Sequence, residues 1–249
     1  MDLPLISVII PVYNAVNYLD RAVQSVLAQD VPLEILIVDD ASTDDIDSIV
    51  KKYDDYPNVV FIRNPTNIGS GGSRNIAIGM AKGKYTAFLD ADDWWDQSKL
   101  KKQITILERE PVVLCCTARE MMQKNGLSRH KVIGVNERIS FNKLLYHNSI
   151  SCSSVVVRTS LLQKYRLVED KSLHEDYVLW LTLLRDHGDA YGINEPLLKY
   201  RLTDDGITGN KLKSALMTFR VYRFFNIGLF RSAFYFTSYI LHGIQKHWV

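Results

Sequence analysis

Apolar positions in the first hundred residues alternate between two rhythms. Residues 6–11 (ISVIIP) form a continuous apolar run, the pattern of a strand buried on both faces. Leu19, Ala22, Val23, Val26 and Leu27 then recur at i, i+3, i+4, i+7 and i+8, one stripe of a helix. Residues 34–38 (EILIV) read as the next strand, and a helix opened by Ser42 or Thr43 follows with Ile46, Ile49, Val50 and Tyr53 on one face. A third strand over Val59–Arg63 leads through a glycine-rich loop into a helix around residues 73–81, and a fourth strand spans residues 85–89. Repeated strand–helix units with short right-handed crossovers predict an α/β fold, a Rossmann-like, mostly parallel sheet with helices on both faces.

After roughly residue 110 the rhythm loosens. Residues 112–116 and 153–157 read as strands, 141–147 and 175–187 as helices, and 118–136 as variable loops. No repeat, proline-rich linker or low-complexity tract divides residues 1–210, which are expected to form one domain. Charge sets the remainder apart. The 249-residue chain carries +2, yet residues 211–249 hold six Lys/Arg and no Asp/Glu, so residues 1–210 sum to about −4 and no nucleic-acid partner is expected. Three cysteines, two adjacent as Cys115-Cys116 in an apolar run, make neither a disulfide framework nor a CxxC site and read as buried thiols in a reducing compartment. The opening MDLPLISVII lacks a basic segment and a small-residue cleavage site, so it reads as a strand, and the expected location of the body is the cytoplasm.

Ligands of an open parallel sheet bind outside the carboxyl ends of its strands, so the residues after each strand matter most. Pro11, Tyr13 and Asn14 follow the first; Asp39 and Asp40 the second; Asn67, Gly69, Gly71, Gly72 and Arg74 the third; Asp90, Asp92 and Asp93 the fourth. Carboxylates spaced as in LDADD can converge on one hard cation, and Mg²⁺ or Mn²⁺ is typically held by one or two carboxylates plus substrate phosphates. The same acids can equally be a turn capping the helix that starts near Gln97, and Asp39-Asp40 ahead of Ser42-Thr43 can be a strand end running into an N-cap. The loop NIGSGGSRN has Arg74 where a dinucleotide fingerprint needs glycine, and it follows the third strand, not the first, which excludes a dinucleotide fold. Flexible glycines with an arginine suit the phosphates or base of a nucleotide. Glu175 and Asp176 open a helix, where the helix dipole favours acids without any chemistry and where a general base is the alternative reading.

Five segments, SVIIPVYNAVNYLDRAVQSVLAQ, EILIVDDASTD, NIGSGGSRNIAI, GKYTAFLDADDWW and HEDYVLWLTLL, in this order resemble family 2 of the glycosyltransferases, a large inverting family that includes bacterial polysaccharide transferases. The resemblance covers roughly residues 4 to 205. It implies a GT-A fold that takes a sugar from a nucleoside diphosphate, UDP being the expected nucleotide, and passes it to a hydroxyl with a divalent metal, Mn²⁺ or Mg²⁺, as cofactor. Carried onto this chain, it implies that Pro11, Tyr13 and Asp40 contact the nucleobase with Asp39 close by, and that Arg74 and Asp90 contact the nucleoside. It implies further that Asp92, with Asp93, holds the metal, and that Asp176, about 85 residues after the metal motif, is the general base. Arg201 of the YR pair resembles a family feature near the diphosphate. Trp180, one helical turn after Asp176, reads as core or as a wall of the acceptor subsite. Donor and acceptor sugars are decided by a few contacts from variable loops such as residues 118–136, and hexose and N-acetylhexosamine both stay open.

Two other readings compete. A sugar-phosphate nucleotidyltransferase needs a glycine-rich phosphate loop after the first strand, where this chain has PVYNAVN. A catalytically inactive nucleotide-sugar-binding module would be expected to have lost a metal carboxylate or the base, whereas Asp92 and Asp176 are both present.

Residues 211–249 hold 10 of the 26 aromatic residues beside their six basic ones, the make-up of a helical element attracted to anionic headgroups. The expectation is an enzyme peripheral on the inner face of the cell membrane, close to an undecaprenyl-diphosphate-linked glycan of an O-antigen or capsule. Spanning is not expected, because the longest stretch free of Lys and Arg, residues 232–245, is 14 residues. Leu212, Ala215, Leu216, Phe219 and Tyr222 share a helical face, but Arg223 interrupts it, so packing on the body or on a second copy of the chain is the alternative.

Overall fold

The computed structural model describes residues 4–202 and 211–248, with side chains over 4–202 and 213–241. Its first half is built of β1 (Ile6–Val12), α1 (Val16–Leu27), β2 (Leu33–Asp39), α2 (Ile46–Tyr53), β3 (Val59–Arg63), α3 (Ser70–Met80) and β4 (Tyr85–Phe88). Strands β3, β2, β1 and β4 lie side by side and all run parallel. Successive side chains of a strand point to opposite faces, so Ile9, Leu36, Val38 and Phe88 enter one apolar cluster while Val8, Ile10, Ile35 and Ile37 enter the other. Full burial of each such side chain contributes about 1.5–3 kcal/mol, which is what fixes the helices to both faces.

The second half is mixed. It comprises β5 (Trp94–Trp95), α4 (Lys99–Arg109), β6 (Leu114–Met122), β7 (Ser128–Ile133), β8 (Arg138–Ile139), α5 (Phe141–Tyr146), β9 (Val156–Arg158), α6 (Thr159–Lys164), α7 (Glu175–His187) and β10 (Ala190–Arg201). β9 enters antiparallel between β4 and β6, β6 and β10 pair in parallel, and the sheet order is β3-β2-β1-β4-β9-β6-β10-β5. The three cysteines are buried and unbridged, as expected.

Three local expectations change. Helix α2 begins at Ile46, not at Ser42 or Thr43, because the polar atoms of that loop serve its neighbour: the Asn14 N–H donates to Ser42 Oγ at 3.0 Å, and the Thr43 N–H donates to Asn14 Oδ1 at 2.8 Å. Helix α1 has no side-chain cap of its own, and Asp44 supplies one from this loop by accepting the Val16 N–H at 2.9 Å. Residues 118–136 are largely a hairpin of β6 and β7 that turns at Asn125-Gly126, where Gly126 takes the left-handed conformation (φ +84°). In the segment 153–157, Cys152–Ser154 is a 3-10 turn and the strand is confined to β9.

The C-terminal residues form α8 (Lys211–Phe224) and α9 (Leu229–Trp248). α8 belongs to the body: Val221 and Tyr222 are fully buried in the cluster that holds Leu144, Leu145 and Tyr177, and the Tyr222 hydroxyl donates to the Leu145 carbonyl at 3.0 Å. α9 turns much of its apolar surface outward, with Phe230 93% exposed. The expected boundary at residue 210, and the Leu212 side chain, lie outside the described residues. No helix among the described residues is long and apolar enough to cross a membrane.

Candidate active site

A cleft of about 430 Å³ opens outside the carboxyl ends of β1, β2 and β4. Pro11, Tyr13, Asp40, Arg74, Asp90 and Asp92 line it, together with Asn14, Asn17, Tyr18, Ser70 and Lys124. This is where an open α/β sheet binds its ligands, because the strand ends, not the strands, present freely chosen side chains there.

The two acids after β2 divide their work. Asp40 accepts the Asn64 side-chain amide and the Ile68 N–H at Oδ1, each at 2.9 Å, and the Gly69 N–H at Oδ2 at 2.8 Å. Burial pushes its carboxyl up, but these donors outweigh it and hold the group below the ordinary carboxylate range. Asp40 therefore ties the glycine-rich loop to the sheet with an ionised group at the cleft wall. Asp39 points elsewhere: it accepts the Ser42 N–H at 2.9 Å and pairs with Arg63 at 2.8 Å, and it is not part of the lining. Ala41 (φ +60°), directly after Asp40, and Asn14 (φ +50°) of the cleft lining hold left-handed conformations that cost non-glycine residues about 1–2 kcal/mol each. The Asn14–Ser42–Thr43 bonds keep both in place.

Arg74 is the centre of the site. It is 5% exposed, with Nη2 2.5 Å from Asp90 and Nη1 3.1 Å from Glu175 at the start of α7. Burial disfavours its charge, and the surrounding acids, Asp90, Glu175 and Asp176 among them, more than offset that. Ser70 donates to the same Glu175 oxygen at 2.7 Å. Gly71 is what lets α3 come this close, since a Cβ there would lie 3.1 Å from Glu175 Cγ and 3.3 Å from the Val168 carbonyl.

Of the acids after β4, Asp90 and Asp92 face the cleft and Asp93 does not. Asp93 is 2% exposed and accepts the backbone N–H of Arg201 at 2.8 Å; burial, then Asp92 and Asp90 beside it, push its carboxyl well up. Asp93 thus sits under the turn, and of the two acids expected at a metal Asp92 is the one that lines the cleft. Arg201 packs against the same turn. Its guanidinium lies 4.8 Å from the ring centroids of both Tyr18 and Trp94, and it donates to the Asp92 carbonyl at 2.8 Å and the Lys124 carbonyl at 2.6 Å. It binds the acidic turn to the β6–β7 hairpin.

At the start of α7, Asp176 Oδ1 accepts the N–H of Tyr177 at 2.7 Å. Burial, then the adjacent Glu175, push its carboxyl up to about 6, with His174 and Arg74 pulling the other way. That lies in the range of a general base working near neutrality. Asp176 is not part of the cleft lining, but Glu175 and Arg74 connect it to the wall. Trp180 is fully buried with its ring centroid 5.9 Å from that of Phe88, so it is core and not an acceptor wall.

Sequence reasoning passed over Asn17, Tyr18, Ser70 and Lys124 as lining residues. For Lys124 a signal existed, because Asn125-Gly126 marks a hairpin turn whose flank must project from the sheet. For Asn17, Tyr18 and Ser70, first-turn residues of α1 and α3, the chain alone gives none.

Placement defines the class: an α/β enzyme with a nucleotide-sized cleft at the carboxyl edge of its sheet, framed by an arginine and acids. The comparisons narrow it. The family model "Glycosyl transferase family 2" matches residues 7–166, and the chain belongs to that family. It is 34% identical over 248 residues to TuaG of Bacillus subtilis (strain 168), a glycosyltransferase assigned to teichuronic acid biosynthesis, covering 98% of this chain and 97% of that protein. It is 32% identical over 250 residues to WfgD of Escherichia coli, a UDP-Glc:alpha-D-GlcNAc-diphosphoundecaprenol beta-1,3-glucosyltransferase, covering 99% of this chain and 96% of that protein. Among solved structures, S. aureus TarS 1-349 in complex with UDP-GlcNAc matches with a TM-score of 0.72 at 23% identity, over 88% of this chain and 64% of that one. The chain thus spans less than two thirds of that TarS chain, and the likeness is one of fold. The protein is a glycosyltransferase of GT-A fold, which removes the nucleotidyltransferase alternative.

Proposed function

We propose that this enzyme moves a sugar, with inversion, from a UDP-sugar to a hydroxyl of an undecaprenyl-diphosphate-linked glycan in bacterial surface-polysaccharide synthesis. One observation carries the reading: Arg74 joins Asp90 on the cleft wall to Glu175, the neighbour of Asp176, so nucleotide site and base share one ion-paired frame. The activity named for WfgD supports it, since the glucose of UDP-glucose is α-linked and a β-1,3 product requires inversion.

Asp176 takes the proton of the acceptor hydroxyl as that oxygen attacks the anomeric carbon from the face opposite the diphosphate. The bond from that carbon to the phosphate oxygen breaks, UDP leaves, and the proton passes from Asp176 to solvent. Pro11, Tyr13 and Asp40 border the nucleobase, and Arg74 with Asp90 holds the nucleoside. Asp92 offers hard oxygen donors, the type Mn²⁺ or Mg²⁺ takes. Among the described residues no group of three or more His, Cys, Asp or Glu side chains is poised for a metal. Asp92 would hold such an ion together with the donor's phosphates, and the ion would supply positive charge to the leaving diphosphate. Asp93 supports the Asp92 turn, and Asp39 the loop after β2.

The donor assignment is tested by thermal shift. UDP at 100 times its dissociation constant is expected to add about 2.7 kcal/mol, raising Tm by roughly 5–10 °C, with GDP and ADP giving clearly less. Equal shifts from all three nucleotides would remove the UDP assignment.

The acceptor places the enzyme at a membrane surface, on its cytoplasmic side. Phe230, Phe234 and Leu241 recur at i, i+4 and i+11, so they share one face of α9; all three are exposed, as are Arg223 and Arg231 nearby in sequence. The full chain is expected to float with phosphatidylglycerol vesicles at low salt. Because α8 is part of the core, the comparison uses substitutions and not truncation. Arg223→Glu/Arg231→Glu is expected to weaken binding at least tenfold, at about 1 kcal/mol per basic residue near an anionic surface. Flotation of that variant equal to wild type, or none by either protein, would remove the membrane reading and leave the exposed face to a second copy of the chain.

A further inference from the structure

The start of α7 is tied to the C-terminal helices by a chain of polar contacts. His174 is the last residue before α7, and its carbonyl accepts the Val178 N–H at 3.0 Å. Its Nε2 lies 3.0 Å from the Ser214 carbonyl oxygen of α8 and 3.2 Å from Ser214 Oγ, and Ser214 Oγ lies 3.4 Å from the Tyr239 hydroxyl of α9. A carbonyl oxygen only accepts, so His174 carries a proton on Nε2 and donates to α8. A second grip runs alongside. Tyr177, next to Asp176, donates to the Leu144 carbonyl at 2.9 Å, and Tyr222 of α8 donates to the adjacent Leu145 carbonyl at 3.0 Å. α7 and α8 thus hold the same end of α5.

These contacts bear on the base because the N-cap residue of α7, His174, makes no side-chain hydrogen bond to its own helix. The His174 side chain reaches α8 instead, on one side, while Arg74 and Ser70 hold Glu175 on the other. Asp176 directly follows these anchored residues and precedes Tyr177, which α5 holds, so its place relative to the cleft is set by them. A shift of 1 Å at a catalytic group can cost 10²-fold in rate.

We propose that His174 is a positioning residue for the transfer step, through which the α8–α9 pair holds Asp176 in place. The inference rests on Asp176 being the base. It gives the C-terminal helices a part in the chemistry beyond any surface they dock on, because Tyr239 is carried by the same helix as the exposed Phe230 and Phe234.

Two substitutions that differ by one methylene separate positioning from folding. His174→Asn keeps a residue favoured before a helix but is too short to reach Ser214, whereas His174→Gln can place an amide N–H where Nε2 stands. For His174→Asn we expect kcat on a lipid-diphosphate glycan acceptor to fall 10- to 100-fold, with UDP affinity and acceptor KM within about twofold of wild type. His174→Gln is expected to recover to within about threefold of wild-type kcat. A His174→Asn kcat within twofold of wild type, a parallel loss of UDP affinity, or a His174→Gln enzyme no better than His174→Asn each overturns the proposal. Its failure is distinct from failure of the base assignment: an inactive Asp176→Asn beside a normal His174→Asn rejects the positioning role alone, and an active Asp176→Asn rejects the base.

Discussion

Asp176→Asn is expected to lower kcat by about 10² to 10⁴ while leaving UDP affinity nearly unchanged, since a general base contributes about that factor and touches the acceptor, not the nucleotide. The same carboxyl sets the pH response. With its pKa pushed up to about 6, Asp176 is protonated and idle below that pH, so wild-type kcat should fall on its acid side near pH 6. Stability runs in the opposite sense. A carboxyl whose folded value lies above its ordinary 3.8 binds more protons folded than unfolded between roughly pH 4 and 6, and stability falls as pH rises through that window. The asparagine enzyme lacks this destabilising charge, so its Tm at pH 7 should equal or exceed that of wild type. Inactivity with an undiminished Tm separates lost chemistry from lost structure. More than a tenth of wild-type turnover with acceptor present would show that another group takes the proton.

The parallel half of the sheet was legible because its strands and helices obey local rules that tertiary context did not override. The run ISVIIP and the stripe from Leu19 to Leu27 each fix one element and the face it buries. Six candidate residues line one cleft for a related reason: in this topology each strand end opens on the same edge, so residues far apart in the chain converge in space. What the sequence could not tell was which member of an acidic pair faces the ligand. Asp39 and Asp40, like Asp92 and Asp93, are neighbours in an extended or turning chain and must point apart. In each pair one acid reaches the cleft and the other braces the loop, Asp39 against Arg63 and Asp93 under Arg201.

Other misreadings have the same origin in contacts between segments far apart in the chain. Ser42 and Thr43 look like helix caps, yet their partner is Asn14, 28 and 29 residues away. The partners of Arg201, expected near the diphosphate, are Tyr18, Trp94 and the carbonyls of Asp92 and Lys124, all distant from it in the chain. The basic, aromatic C-terminus looks like one element, and the structure divides it. α8 gives its buried face to the core and α9 keeps the exposed one, which a count of charges and rings cannot separate.

Asp92→Ala is expected to abolish metal-dependent donor binding. In the wild type, UDP should bind about 10- to 100-fold more tightly with Mn²⁺ than with EDTA, and in the variant the two affinities should coincide near the EDTA value. Turnover should fall by about 10² to 10³, the size of effect seen when one contact to developing negative charge is removed. The neighbouring acid supplies the control. Asp93 is buried away from the cleft, its carboxyl is pushed well up, and one of its oxygens meets the Arg201 N–H, so Asp93→Asn, a near-isosteric amide whose oxygen can keep that bond, should retain the Mn²⁺ dependence. Calorimetric titration of UDP into the three proteins, with Mn²⁺ and with EDTA, resolves the assignment. If Asp93→Asn loses the metal effect and Asp92→Ala keeps it, the ligand is the buried acid and the turn must open to bind. If wild-type affinity is the same in Mn²⁺ and in EDTA, the leaving diphosphate is neutralised by the chain's own cations, and Arg74 and Lys124 at the cleft become the residues to replace next.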